Sequence, residues 1–266
     1  MRTDTAPPAG PTAWGRSLLR TAASWWWLLQ FSAMVLVIAL SPSTYSRANR
    51  TAISRCNYSS TWQVLPWFTA LTALLSLVLI RIVLATAVSY GLSQYALQMV
   101  VRVLVLELIP LAAALFVALR SGLALDGSDT GRAAAVGASM AARPSLERLR
   151  GQLVPKVLAD ALSVLALATI SSAVALVLAY LTVHGLSLWG LPGYTRTVGQ
   201  VFDLAVTLGF GLKTIFFSLA VAVVPLAARL EAQGPAAGSG TLQPGAVRLF
   251  LVLLLIETTS LVVKYI

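Results

Sequence analysis

Four ionisable side chains lie inside long apolar runs of the sequence: Arg81, Glu107, Lys213 and Glu257. An ionisable group within a membrane-spanning helix is costly unless it is paired or hydrated, so each of them is a functional candidate. At about 1.5 Å of helix per residue, all four lie in the middle or outer half of a bilayer. Two cations and two anions at similar depth indicate a polar cavity between helices, suited to a zwitterionic or anionic amphiphile. The alternative interpretation is that the four groups pair with one another and only hold the helices together.

The sequence contains little that soluble enzymes use for catalysis. It has one histidine and one cysteine, which excludes a disulfide framework and a zinc site of the usual composition. It has no P-loop for nucleotide phosphates. The string LDGSDTGR at 125–132 resembles the start of the acidic motif of CDP-alcohol phosphatidyltransferases, but only Glu147 follows Asp126 and Asp129 before residue 160. We therefore predict no catalytic residues, no metal and no cofactor, and keep a membrane phosphatidyltransferase as the weakest alternative.

The apolar composition is typical of a membrane protein. Of the 266 residues, 58% are hydrophobic and 11% are charged, and the mean hydropathy is +0.84. A soluble domain of this length cannot hide so much apolar surface. Apolar runs of about 20 residues are long enough to cross a bilayer core of about 30 Å as helices. The sequence predicts an all-α polytopic membrane protein with five transmembrane helices, at about 64–90, 98–120, 153–184, 201–227 and 247–266.

The basic residues predict how these helices are oriented. The net charge is +10, and arginines concentrate in the loops at 41–63 and 121–152. The linker at 91–94 carries no charge, and the loop at 185–200 carries only Arg196. Because basic loops stay on the cytoplasmic side, the first helix is expected to run outward and the C-terminus to lie on the outer face. This pattern accounts for the positive charge without nucleic-acid binding.

The N-terminal stretch SWWWLLQFSAMVLVIAL at 24–40 is apolar enough to cross a membrane but has arginines on both flanks. A helix at the cytoplasmic interface leaves both flanks inside and puts the three tryptophans at headgroup depth. We favour this interpretation over a sixth transmembrane helix or a cleaved signal peptide. The predicted organisation is a disordered tail at 1–15, an interfacial helix with a cytoplasmic linker at 16–63, and a transmembrane domain at 64–266.

Five pieces of the sequence, in order from about residue 60 onward, resemble the MlaE/YrbE permease family, the membrane subunits of ABC lipid-transport systems that work with MCE proteins. The pieces are LELIPLAAALFVALRSG at 106–122, LVPKVLAD at 153–160, LGFGLKTIFFSL at 208–219, GPAAGSGTLQPGAVRLF at 234–250, and the last-helix acid Glu257. Individual matches fall at Glu107, Pro110, Arg120, Gly122, Lys213 and Phe217. Leu106 and Ile109 replace an arginine and a glycine of the family pattern.

The resemblance implies the interfacial helix, the five transmembrane helices and a dimer, formed by two copies of this chain or with a paired permease. It implies a phospholipid substrate in a central cavity, with Glu107, Lys213 and Glu257 lining or gating the lipid path; Arg81 is added from the sequence alone. The implied partner chains are an MlaF-like ABC ATPase, an MlaD-like MCE protein and an MlaB-like STAS-domain protein. The ATPase would grip a coupling segment within 121–152, to which we assign Arg132, Met140, Arg143 and Pro144.

Together, the residues and the resemblance predict a permease subunit of the bacterial inner membrane. It would move phospholipids or similar amphiphiles between that membrane and a periplasmic MCE partner, and so maintain outer-membrane lipid asymmetry. ATP hydrolysis is expected on the separate ATPase chain, so this chain is not itself an enzyme. The alternative from another class is a stand-alone secondary transporter or channel that uses the same buried charges for proton or ion coupling.

Overall fold

The computed structural model describes residues 64–127, 154–232 and 244–265, together with the single residues 26, 30, 33, 34 and 62. Within these ranges the chain is helical and contains no strand, which confirms the predicted all-α fold. The α-helices are α1 Leu65–Ser89, α2 Ser93–Val100, α3 Ile109–Gly127, α4 Val154–His184, α5 Leu191–Val201, α6 Leu204–Ala232 and α7 Pro244–Tyr265. A π-helix, Val101–Leu108, joins α2 to α3, and a 3₁₀ turn, Leu188–Gly190, precedes α5.

Several predicted features fall on other parts of the chain. Apart from the single residues named above, the N-terminal tail, the interfacial helix and its linker lie outside the described residues. So do all of the residues that were assigned to ATPase coupling: Arg132, Met140, Arg143 and Pro144. Their assignments stay predictions.

Among the described residues, five helical segments are long and apolar enough to cross a membrane, in agreement with the sequence. We call them the first to fifth spans: Leu65–Ser89, Tyr95–Ser121, Lys156–His184, Leu204–Ala228 and Gly245–Lys264. The first two are joined by a short turn in which Gly91 adopts a φ of 69°. Only glycine enters this left-handed region without strain, so the turn can be this tight.

The segment at 185–200, which the sequence indicated to be a loop rich in glycine and proline, is largely helical. The 3₁₀ turn leads into α5, whose first turn contains Pro192. A proline is well tolerated there, because the first N–H groups of a helix have no partner within it. The fourth span therefore begins after a short helix rather than after an irregular loop.

The third span lies at the centre of the bundle and packs against the first, second and fourth spans. Three small side chains spaced four residues apart, Ser171, Ala175 and Ala179, are at most 3% exposed. Small residues let helix backbones approach closely, which is a main source of helix association in lipid. The hydroxyl of Thr72 on the first span lies 3.3 Å from that of Ser171 and adds a polar contact between the two helices.

The fifth span packs against the fourth and makes only slight contact with the other described helices. Only 11% of its apolar window is buried. The two helices approach each other closely at Gly245, where a Cβ atom would lie 2.9 Å from the side chain of Ala228. A glycine at this position thus lets the two spans meet near the start of the fifth.

Candidate functional site

Glu107 is positioned by the π-helix in the second span. The π-helix ends at Leu108, two residues before Pro110. Proline has no N–H to donate to the carbonyl four residues earlier, so the α-helical bonding pattern cannot continue through it. The N–H of Ile109 instead donates to the carbonyl of Leu104, five residues back, which is the π pattern. π-helical turns inside α-helices are frequent at functional sites, and this one carries the acid.

Three spans contribute to one cluster of ionic side chains. The ammonium of Lys213 on the fourth span donates to Oε2 of Glu107 and lies 2.8 Å from Oε2 of Glu257 on the fifth. The ammonium of Lys264, at the end of the fifth span, donates to Oε1 of Glu107 at 2.7 Å. Both oxygens of Glu107 are therefore occupied, each by a different lysine. We call these four residues the ionic cluster.

The central lysine is the most deeply buried member of the ionic cluster. Lys213 is 3% exposed, whereas the other three side chains are 13–17% exposed. Its ammonium also lies 5.6 Å from the centroid of the Phe217 ring, within the range of a cation–π interaction. A buried charge of this kind persists only when its partners are close, because removing an ion from water is costly.

Glu257 is held in the ionic cluster by the central lysine. Its Oε2 is buried and lies 2.8 Å from the Lys213 ammonium, its close counter-ion within the described residues. The lysine therefore bridges one acid on the second span and one on the fifth.

A cavity of about 550 Å³ lies against the ionic cluster. This volume is within the range of pockets that hold small molecules. The walls are mostly apolar and come from the π-helix and the fourth and fifth spans. The lining residues are Leu106, Glu107, Ala205, Val206, Gly209, Phe210, Leu212, Lys213, Phe216, Leu255, Ile256, Thr259, Ser260, Val263 and Lys264. Charged groups at one place and hydrocarbon around them form an amphipathic site.

Comparison with known protein families agrees with this architecture. The family model described as Permease MlaE matches residues 53–263, which is most of the chain. The chain belongs to the MlaE permease family. Membership makes it an ABC permease, a multi-pass transport subunit that works with partner subunits, and it argues against the phosphatidyltransferase alternative. A comparison with curated proteins gave no match.

Three of the four predicted site residues of this MlaE permease come together in the structure. Glu107, Lys213 and Glu257 form the core of the ionic cluster, and the first two line the cavity. Arg81 does not join them. It is exposed on the first span, it is not among the cavity-lining residues, and within the described ranges no ion pair of Arg81 is found. Its predicted role in substrate binding stays a prediction.

Lys264 was not predicted as a site residue of the permease. It follows Glu257 by seven residues, a spacing that places both side chains on one face of a helix. That spacing is the signal that could have identified it. Lysines close to the end of a span also commonly extend their ammonium to the lipid headgroups at the membrane surface. The seven-residue spacing alone therefore does not distinguish such a lysine from a member of the ionic cluster.

The predicted orientation of the permease places the ionic cluster in the outer half of the membrane. Lys213 lies about 14 Å along the fourth span from its outer end, and Glu107 about 18 Å from the outer end of the second. Lys264 lies at the outer end of the fifth span. In this orientation the ionic cluster extends from the middle of the bilayer towards its outer face.

A second group of polar side chains fastens the outer helix α5 of the permease to the third span. The hydroxyl of Tyr194 donates to the carbonyl of Leu176 at 2.7 Å, and its ring meets that of Tyr180 edge-on. His184 stacks on Tyr180 with 5.4 Å between ring centroids. Burial raises the pKa of Tyr194 to about 12, so it stays a neutral donor at ordinary pH. These contacts are structural and lie apart from the cavity.

Proposed function

We propose that this permease moves phospholipids or similar amphiphiles between the bacterial inner membrane and a periplasmic MCE partner, and that it thereby maintains outer-membrane lipid asymmetry. The observation that supports this function is the contact between the ionic cluster and a cavity with apolar walls. A lipid headgroup needs the charges, and its acyl chains need the apolar surface beside them. Neither a water-soluble substrate nor a simple ion needs both.

The apolar walls continue to the outside of the single chain. Leu212, Phe216, Leu255 and Val263 line the cavity and are each at least 46% exposed. In the membrane such side chains contact lipid tails or a second permease subunit. Acyl chains can therefore lie along the fourth and fifth spans while the headgroup reaches the ionic cluster between them. A dimer, with a second copy or a paired permease, would enclose the tails.

Transport requires that the site be exposed alternately to the two sides. We propose that an MlaF-like ABC ATPase supplies the energy, assisted by an MlaB-like STAS-domain protein, and that an MlaD-like MCE protein receives the lipid. Closure of the ATPase would push the coupling segment within 121–152, where Arg132, Met140, Arg143 and Pro144 are assigned to contact it. The cavity would then narrow and expel the headgroup.

Lipid occupancy of the purified chain tests the proposed function. The full-length chain is extracted in mild detergent, and the bound lipid is quantified by mass spectrometry. Lys213→Met and Glu107→Gln are expected to reduce the bound lipid several-fold, because each removes a charge at the headgroup position. Arg196→Gln is the matched control, since Arg196 is an exposed arginine of α5 outside the ionic cluster. Unchanged occupancy in both cluster variants would exclude the cavity as the lipid site.

The alternative of a secondary transporter or channel is supported by one observation, the acid–lysine–acid arrangement within the spans. Such groups also form proton relays in pumps and transporters. This alternative predicts transport by the chain alone in liposomes, driven by an ion gradient. The permease function predicts that lipid movement requires the ATPase subunit and ATP. Gradient-driven transport without any partner chain would favour the alternative.

A further inference from the structure

The first span presents a charged residue to the outside of the bundle. We propose that this side of the span docks a transmembrane helix of a different chain, and that Arg81 pairs with a carboxylate on that helix. The contact holds a partner chain beside the permease within the membrane. Arg81 is not among the residues that line the cavity, so the docking role does not depend on the lipid site.

Arg81 faces directly away from the rest of the bundle. The first span buries one stripe of side chains, which faces the third span and consists of Phe68, Thr72, Ser76 and Ile80. Arg81 follows Thr72 by nine residues, which at about 3.6 residues per turn is two and a half turns. The two side chains therefore lie on opposite sides of the helix. Consistent with this position, Arg81 is exposed and forms no ion pair within the described residues.

The charge of Arg81 lies within the hydrocarbon of the bilayer. Arg81 is eight residues from Ser89, the outer end of its span, which corresponds to about 12 Å. Helical side chains lean towards the N-terminus of their helix, which is the cytoplasmic end of this span in the predicted orientation. The guanidinium therefore leans towards the middle of the bilayer rather than towards the nearer headgroups. Because arginine keeps its proton in proteins, the charge needs an anion at this depth.

The apolar surroundings of Arg81 have the spacing of a helix–helix contact. Its neighbours on this side of the span recur at alternating intervals of three and four residues, the spacing at which one helix packs along another. All of them except Leu84 are exposed, and only 17% of the apolar window of the span is buried. A second helix can therefore lie along the span. We call this surface the Arg81 face; it consists of Trp67, Ala70, Leu74, Leu77, Arg81, Leu84 and Val88.

A second copy of this chain does not supply the anion. The acids within the five described spans are Glu107, Asp160 and Glu257. Glu107 and Glu257 are held by the lysines of the ionic cluster. Asp160 lies about 6 Å from the inner end of the third span, whereas Arg81 lies about 24 Å from the inner end of the first. The anion must therefore come from a different chain, and a carboxylate suits the planar guanidinium because the two groups form parallel hydrogen bonds.

Association with a designed transmembrane peptide tests the proposal. The full-length chain, labelled with a fluorophore at Cys56, its only cysteine, is reconstituted into vesicles with a labelled leucine-rich peptide that spans the bilayer. One peptide carries a glutamate eight residues from its outer end, and a matched peptide carries glutamine there. Energy transfer between the labels, measured at increasing peptide density, gives the two affinities. We expect the glutamate peptide to bind about tenfold more tightly, the factor that one charge-assisted hydrogen bond contributes to affinity.

Variants of the chain assign this preference to Arg81. Arg81→Leu should bind both peptides equally and keep its melting temperature, because the side chain faces away from the bundle. Arg81→Lys retains the charge and should retain part of the preference. Arg196→Gln is the matched control, since it removes an exposed arginine outside the Arg81 face and should retain the full preference. Bound lipid, measured by mass spectrometry, should be the same in Arg81→Leu as in the unmodified chain.

Several results would refute the docking role. Equal binding of the two peptides to the unmodified chain, or a preference that survives in Arg81→Leu, would mean that no carboxylate pairs with this arginine. A several-fold loss of bound lipid in Arg81→Leu would assign the residue to lipid binding instead, as the sequence predicted. Disulfide dimers of Ala70→Cys in a Cys56→Ser background, formed in vesicles that contain only this chain, would mean that a second copy covers the face. The proposed function is tested separately by the variants of the ionic cluster, which leave the Arg81 face intact.

Discussion

Replacement of Lys213 by methionine is the most direct perturbation of the ionic cluster. Methionine has a similar length and no charge, so the change removes the central ammonium and leaves the packing nearly intact. Glu107 would keep its bond to Lys264, whereas Glu257 would lose the lysine that lies 2.8 Å away. The variant therefore leaves one buried carboxylate without its counter-ion.

The structure indicates the size of the effect. Removal of one partner from a buried ion pair costs about 3–5 kcal/mol. Glu257, the carboxylate that loses its counter-ion, is 16% exposed, so we expect the lower end of this range, about 3 kcal/mol, for Lys213→Met. Lys264→Met is expected to cost about 1 kcal/mol, since this lysine is more exposed and Glu107 retains Lys213. The free energy of unfolding is measured in mild detergent by denaturant titration.

A double variant provides the control. Lys213→Met combined with Glu257→Gln removes the unpaired carboxylate together with the lysine, so it should be more stable than Lys213→Met alone. If the double variant is no more stable than the single one, the destabilisation does not come from an uncompensated charge. If Lys213→Met and Lys264→Met cost the same, the central position of Lys213 has no energetic importance.

Three further predictions concern the helices around the site. Pro110→Ala restores a backbone N–H and so favours α-helical over π-helical geometry, which should turn Glu107 away from the cavity. Bound lipid, measured by mass spectrometry, should then fall several-fold, while the melting temperature should not fall. Tyr194→Phe loses a buried hydrogen bond and should lower the free energy of unfolding by about 1 kcal/mol. Burial raises the pKa of Tyr194 from 10.0 to about 12, so the unfolded chain ionises first as the pH rises between these values. The unmodified chain should therefore lose its stability advantage over Tyr194→Phe in this pH range. Gly245→Ala places a Cβ against Ala228, whereas nothing lies within 4 Å of the Cβ in Gly211→Ala. In chemical unfolding, the Gly245→Ala variant should therefore be less stable than the Gly211→Ala variant by about 1–2 kcal/mol.

Each of these predictions has a result that contradicts it. Unchanged lipid occupancy after the proline replacement would mean that the π-helix is not needed to position the acid. A stability difference for the tyrosine variant that stays constant up to the highest pH would mean that the hydroxyl is not effectively buried. Equal stabilities of the two alanine variants would mean that the close approach of the fourth and fifth spans can relax without cost.

The sequence predicted positions along the helices better than directions around them. The apolar runs located all five spans, because a bilayer imposes the length of a crossing helix. The depths of Glu107, Lys213 and Glu257 followed from the rise per residue, and these three residues do meet. Arg81 lies at a similar depth but is exposed and separate. Which face of a helix turns inward is decided by packing between helices, and an evenly apolar span contains little information about it.

Sequence patterns also failed to predict two local features of the structure. Pro110 marked an interruption of the second span, but a proline permits either a kink or a π-helical segment, and the neighbouring helices decide between them. The glycine-rich stretch at 185–200 indicated a loop, although α5 forms there because Tyr194 packs on the third span. In both cases the contacts between helices override the local preference of the residues.

The fifth span is held to the bundle by few contacts besides those with the fourth span. Lipid tails are as apolar as the helix surface, so no hydrophobic force presses this helix onto its neighbours. The bond from Lys264 to Glu107 joins it to the second span, and the contact between Glu257 and Lys213 joins it to the fourth. Under the proposed function, a lipid headgroup that takes over the charge of Lys264 would weaken the attachment of this helix as it enters. Substrate binding and movement of the cavity wall would then be one step.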